Sequence, residues 1–515
     1  MNKIKFLIIF AGVALLLSCE DILEQTNPNQ QNSDTFWTNE TELREGLNAA
    51  YRPLRFNGQY RRWLHILYIS RSDEGYSTSP NPVFQSYSNF KTLNQSNSEA
   101  VLFTWLDLYK GIFWANQVLN NADKIPFEDE REKEYIVGQA YFLRGLGFFN
   151  IAGVYGRGPT PLISDMADFE DGYKIFEQPD IYLQAQKDFD EARKRLPAVW
   201  EKGVDLGRIT KGGALGMLVK VSAQLHEWQN VKNYCDSIFA LNIYDLVADY
   251  NHNFTEANEN NSESLFEVQF AADRDGIGQL SQERAKFLGF PANGQSYDDA
   301  TASNIVKTDL EKEKTTSGAV DPRLKHTLFY AGDNTIYYGR TFASWANGGT
   351  VSNAKVYWKK YTQWDTKTEL SPESHTNNGI NFRVVRLADI YLMYAEALNE
   401  LGRTADAYEY INRVRTRVSL PNLENSTVFT GIGNDQNKMR DQIMHERSCE
   451  LAGESWRWLD LERWGMFESQ EKIDWLKTRD SEFNNFEIGK CNRFPIPYRE
   501  LPLVDGLEQN PGWTN

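Results

Sequence analysis

Cysteine and histidine are both scarce: four Cys and six His are spread over 515 residues. The histidines show no metal-ligand spacing, and no CxxC pair occurs, so neither a zinc site nor a disulfide framework is written into the chain. His226-Glu227 and His445-Glu446 each lack the second His of a zinc-protease helix. There is no GxSxG nucleophile turn, no GxxxxGK[ST] phosphate loop and no GxGxxG dinucleotide fingerprint. Asp273-Arg274-Asp275-Gly276 begins like a calcium loop without its remaining ligands and reads as a turn. Neither a metal nor a cofactor is therefore expected. Positive charge is also in short supply. The 55 basic residues face 71 acidic ones for a net charge of −16, which argues against a nucleic-acid partner. Long apolar runs are missing except at the start.

That start is informative. Lys3 and Lys5 precede an unbroken apolar run over 6–17, which suits a signal peptide and is too short to span a bilayer. Leu16-Leu17-Ser18-Cys19 resembles the lipobox of bacterial lipoproteins, which predicts cleavage after residue 18 and acylation of Cys19. Without the first 18 residues, 53 basic residues stand against 71 acidic, a net −18. Residues 20–34, rich in Asn and Gln, read as a linker, so residues 19–40 form an anchor and spacer ahead of one domain over 41–515. Cys235, Cys449 and Cys491 then remain, either as one bridge with a leftover thiol or as inert buried thiols.

Helical periodicity dominates the rest of the chain. Leu387, Ile390, Tyr391, Tyr394, Ala395 and Leu398 share one helix face, Gly402 breaks it, and Ala407, Ile411, Val414 and Val418 continue as a second helix. Similar stripes run through 102–119, 136–151, 214–225 and 231–241. Such helix–turn–helix pairs look like tetratricopeptide units, each leaving an apolar face that its neighbour must cover. The expected fold class is all-α. Two stretches lack this period, 57–98 and about 247–381, and both carry aromatics among Gly, Asn, Asp and Thr. Long aromatic-rich loops in a folded body are usually functional. By contrast, Glu446, Arg447, Glu450 and the run from Glu454 to Gly465 read first as an ion-pair network locking the terminal helices, and only second as a sugar or anion site.

An ordered series of motifs then carries a resemblance. Trp105-Leu106-Asp107-Leu108-Tyr109 precedes Ala140-Tyr141-Phe142-Leu143-Arg144-Gly145, and Asp321-Pro322-Arg323-Leu324 precedes Arg386-Leu387-Ala388-Asp389. Glu446-Arg447, Arg463-Trp464-Gly465, Pro495-Ile496-Pro497 and Asn510-Pro511-Gly512-Trp513 complete it. Over nearly its whole mature length the sequence resembles SusD/RagB proteins. The resemblance implies four tetratricopeptide-like helix pairs with a less regular ligand side. It also implies an outer-membrane, lipid-anchored protein facing the cell exterior, partnered with a SusC-like TonB-dependent transporter. Such a protein captures oligosaccharides without catalysis; peptide capture, as in the RagB branch, is the alternative, with a glycoside hydrolase behind it.

Sugar C–H faces stack on aromatic rings while polar side chains serve the hydroxyls. The two irregular stretches offer Tyr76, Phe84, Tyr87, Tyr297, Trp345 and Trp364 as rings. Arg71, Asp73, Asn94 and Asp298 are the polar partners expected beside them. Several of these ten should share one exposed face, whereas Trp358 in its Val-Tyr-Trp-Lys run reads as core.

Overall fold

Polar caps open three of the long helices. Ser98 accepts from Val101 N–H at the start of α4 (Glu99–Asn121), Asp129 from Arg131 at α5 (Glu130–Val154) and Thr210 from Gly213 at α7 (Lys211–Gln224). Each such bond satisfies an amide that the helix leaves without a partner. The computed structural model describes residues 36–513 apart from 92–94, 162–173, 202, 273–279, 289–296, 298, 338, 350 and 365–377. Cys19, the leader and linker, Asn94, Asp298 and the turn at 273–276 lie outside the described residues.

Helix accounts for 55% of the structure and strand for 7%, so the fold is all-α. α1 (Glu40–Tyr51) packs on α4, α4 on α5, and α5 on α6 (Gln178–Arg195). The array continues through α7 and α8 (Trp228–Ala240) to α13 (Leu387–Glu400), which carries α14 (Thr404–Arg417) and α15 (Gln436–Leu451) on its flanks. Gly402, at φ +75°, turns the chain between α13 and α14. Thirteen of the fourteen α13 residues are buried, so this helix is covered all round and not on one stripe. One apolar cluster runs through the array and includes residues from Leu43 to Leu507.

The unperiodic stretches are more regular than their sequence suggests. Residues 57–98 contain α2 (Trp63–Ser70) and α3 (Pro82–Asn89). All eight α2 residues are buried, which removes the polar face that would have marked a helix. The region 247–381 holds the short helices α9 (Arg284–Leu288), α10 (Asn304–Glu311), α11 (Arg323–Thr327) and α12 (Phe342–Asn347). Short strands join it to the rest. β1 (Gly75–Tyr76) pairs antiparallel with β5 (Thr301–Ala302), β2 (Arg157–Pro159) with β3 (Ile175–Glu177), β6 (Leu328–Phe329) with β9 (Tyr357–Trp358), β7 (Ile336–Tyr337) with β8 (Arg340–Thr341), and β4 (Ser264–Val268) with β10 (Phe382–Arg386), the strand leading into α13. Trp358 is core, as expected, and Cys235, Cys449 and Cys491 are free, buried thiols.

Many of the charged residues in this interior are paired. Asp389 on α13 accepts from Lys220 at 2.6 Å and Arg447 at 2.8 Å, and Arg447 also binds Asp460 in α16 (Arg457–Arg463). Arg386 reaches Glu263, Glu450 and Glu454, while Arg323 reaches Asp321, Glu446 and Glu450. These groups are all buried, so breaking one pair strands a charge at a cost of ~3–5 kcal/mol. The charged run from Glu446 to Arg463 is thus a network within the fold.

The network also fixes a pH dependence. Despite burial, which alone would raise them, the cations beside Asp73, Asp389 and Glu450 hold these carboxyls well below the usual range. A depressed carboxyl adds stability that is present above its unfolded value, about 4, and lost as pH falls through the folded value. Urea unfolding should therefore give a stability that declines steadily as pH drops below about 4. A flat profile down to pH ~2 contradicts the network.

Candidate ligand-binding site

The β1–β5 ladder brings the two aromatic-rich stretches together. Tyr76 lies opposite Thr301, and Ser303 N–H donates to the Glu74 carbonyl at 2.8 Å just beyond the ladder. Tyr297 N–H donates to the Lys286 carbonyl and Asp299 N–H to that of Phe287, each at 3.0 Å, so the chain before β5 runs along α9.

A stacked column stands at this junction. Tyr297 is 51% exposed, and its ring lies nearly parallel to that of Phe287, with centroids 5.3 Å apart and planes 15° apart. Beneath Phe287 the Arg62 guanidinium sits 3.3 Å from that ring's centroid and 3.5 Å from the centroid of Trp63. Trp63 then contacts Phe84, and Phe84 contacts Tyr87, which carries the column into the core. Stacking on Phe287 holds the Tyr297 ring, and about half of the residue is open to solvent. A ring held in this way loses little freedom when a flat apolar surface settles on it.

Charges surround the column. Arg62 lies 3.6 Å from buried Asp299, whose carboxyl is pushed up to about 6 by burial, with Ser79 and Arg62 opposing the rise. Burial also lowers the Arg62 guanidinium to about 10. The Lys286 ammonium lies 5.5 Å from the Tyr297 centroid, and Arg61 pairs with Glu283 at 3.0 Å.

The structure corrects much of the expected site. Arg71 is fully buried and donates to the Cys491 and Arg493 carbonyls and to Gln95, clamping the C-terminal segment. Asp73 is equally buried and bridges Arg457 to Arg479 on α17 (Gln470–Arg479). Tyr87 is buried with its hydroxyl on Ser98 at 2.6 Å, and Phe84 is an inner layer of the column. Trp345 is 2% exposed and donates to the Tyr337 carbonyl, inside a separate cluster with Phe329, Phe342 and Tyr357. Half-buried Trp364 packs on that same cluster, with the Lys359 ammonium 3.9 Å from its ring. The rings of Phe84, Tyr87 and Trp345 are thus covered by the fold. Among the eight described residues of the expected site, Tyr297 alone is exposed and Tyr76 and Trp364 are half-buried, so several of them do not share one exposed face. Arg62, Trp63, Phe287 and Asp299 were missing from the expected site; the Arg61-Arg62-Trp63 run is the one signal for them in the sequence.

Known proteins share this architecture. A family model described as "SusD family" matches residues 236–513, and another, "Starch-binding associating with outer membrane", matches residues 21–222. SusD-like protein P25 of Formosa agariphila is 27% identical over 100% of this chain and 99% of its own. The crystal structure of a SusD superfamily protein from Bacteroides vulgatus superposes with a TM-score of 0.79 at 24% identity, covering 93% of this chain and all of that one. A laminarin-binding SusD-like protein superposes with a TM-score of 0.72 at 26% identity, over 92% of this chain and all of that one.

The column separates two kinds of tyrosine and phenylalanine, and stability measurements should do the same. Phe287→Ala should cost ~3–5 kcal/mol in chemical denaturation because it opens a cavity in the stack. Tyr297→Ala, at the solvent end, should cost no more than ~0.5–1 kcal/mol. Equal losses contradict the layered arrangement.

Proposed function

The chain belongs to the SusD family, and from that premise we propose that it captures oligosaccharides at the outer membrane, with Tyr297 as the stacking platform, and passes them unchanged to a SusC-like TonB-dependent transporter. The observation that carries the reading is the exposed Tyr297 ring, fixed from below by Phe287 and Arg62 where the two irregular stretches meet. A pyranose presents a flat C–H face that suits such a ring, and its hydroxyls suit the polar groups beside it. Support also comes from the laminarin-binding relative that shares the fold. In this reading acylated Cys19 tethers the chain through the linker at 20–34, and the helical array provides the surface that meets the transporter. The family's second model carries the association with the outer membrane in its own description.

Nothing in the proposal calls for a reaction. The buried carboxylates of the network are committed to guanidinium or ammonium partners, and a paired, buried acid is poorly placed for acid–base work.

The chain from residue 20 onward, run on native gels cast with a panel of plant, microbial and host polysaccharides, should be retarded by one class of glycan. Tyr297→Ala should weaken that binding about two- to tenfold, since an aromatic stack contributes ~0.5–1.5 kcal/mol. Trp345→Ala, if folded, should leave it unchanged. The transporter should accompany the chain from native membranes in mild detergent. Retardation by no glycan, with binding of peptides instead, would overturn the reading in favour of peptide capture, and release of reducing ends would overturn it in favour of a hydrolase.

A further inference from the structure

Positive charge is left over beside the Tyr297 platform, in a chain whose net charge is −16. α9, the helix under the platform, carries Arg284 and Lys286, and among the described residues neither has an ion-pair partner. The cations next to them are taken. Arg61 pairs with Glu283 at 3.0 Å and Arg62 with Asp299 at 3.6 Å, while exposed Glu99 also acts on Arg62.

Arg284 supplies charge from below. It is 3% exposed, donates to the Gly453 carbonyl, and holds its guanidinium 4.9 and 5.1 Å from the Tyr361 and Phe382 centroids. Burial lowers it only to about 10, so it stays charged at neutral pH. The acids that act on it, Glu454 and Glu74, do not cancel it. Glu454 is held by Arg386 and Lys360, and burial pushes the Glu74 carboxyl up to about 8, which leaves it largely uncharged at neutral pH. An unmatched guanidinium in a low-dielectric interior lends positive potential to the surface above it.

Lys286 brings the surplus to the surface. Its carbonyl accepts from Tyr297 N–H at 3.0 Å, so the two residues are held side by side. The half-buried ammonium lies 5.4 Å from the Phe287 centroid and 5.5 Å from that of Tyr297, and the two centroids are 5.3 Å apart. Three such similar distances set it beside the stack at mid-height. A substituent projecting from the edge of a sugar laid on Tyr297 comes within reach of its flexible stem. A neutral hydroxyl would gain an ordinary hydrogen bond there, whereas a carboxylate or sulfate would gain a charge-assisted one and offset the surplus.

We infer that the platform selects acidic glycans: a sugar bearing a carboxylate or sulfate ester lies on Tyr297 with its anionic group on the Lys286 ammonium, which makes Lys286 a specificity-determining residue. The inference rests on the proposed platform for the place of the sugar ring, and on α9 for the charge.

Calorimetry of the chain from residue 20 onward tests it. The acidic probes are hexamers from pectate and alginate, which carry carboxylates, and from κ-carrageenan, which carries sulfate. The neutral probes are laminarihexaose, maltohexaose, xylohexaose and mannohexaose. An acidic probe should bind more tightly than every neutral one, and added NaCl should weaken it. Whether pectate and alginate or κ-carrageenan leads separates carboxylate from sulfate. Lys286→Gln keeps the length of the stem; it should weaken the acidic probe about two- to fivefold at low salt and flatten the salt dependence. Lys286→Arg should retain both, which a merely structural role would not predict. Tyr297→Ala should weaken the same probe about two- to tenfold. Sensitivity to Lys286→Gln without sensitivity to Tyr297→Ala supports the acidic ligand and overturns the platform. A neutral probe bound most tightly, weakened by Tyr297→Ala and indifferent to Lys286→Gln, overturns the inference and leaves the platform standing. Equal losses in Lys286→Gln and Lys286→Arg, or no binding of any acidic probe, also overturn the inference.

Discussion

Glu450, in the last turn of α15, is the point on which the rest of the structure depends. Its carboxylate accepts from Arg386 at 2.6 Å, from Arg323 at 3.1 Å and from Arg417, while its carbonyl takes Tyr250, Lys360 and Arg386. Those partners come from β10, α11, α14 and the central irregular region. A fully buried carboxylate is tolerable only with such company, because an uncompensated charge in the interior costs several kcal/mol. The requirement acts in both directions: the acid holds three guanidinium groups, and each guanidinium holds its own segment against α15. Apolar packing makes the helical array, and this lattice fastens the irregular side to it.

The proposed Tyr297 platform depends on that fastening. Asp73 joins the same kind of network through Arg457 and Arg479, which pins the chain just before β1. Glu74 then takes Ser303, β1 takes β5, and the segment before β5 runs along α9, where Phe287 waits under Tyr297. A surface ring is thus located by a chain of contacts that begins at buried ions.

Much of this architecture was legible in the sequence, for physical reasons that also explain the failures. The stripe from Leu387 to Leu398 declared a helix because apolar residues recur at its pitch, and Gly402 declared the turn. α2 hid because it is an eight-residue, almost wholly apolar run, too short for its pattern to separate a helix from a strand. Arg71 and Asp73 looked like ligand-binding groups because charges in an unperiodic stretch ordinarily face water. Their partners lie near residues 457–493, and no local pattern announces a contact over that separation. Tyr297, set among Gly, Asn, Ser and Asp, was readable as an exposed ring, whereas Phe287, which orients it, carried no sign of that role. The charged run from Glu446 was readable as a network because acids and guanidinium groups alternated at helical spacing.

The most direct test of the platform is a crystal structure of the chain with the oligosaccharide that it binds. A sugar ring should lie parallel over the open side of Tyr297, with Phe287 and Arg62 unmoved beneath it. A sugar bound against Trp364 and the Phe329–Tyr337 cluster, with Tyr297 left uncovered, would contradict that placement.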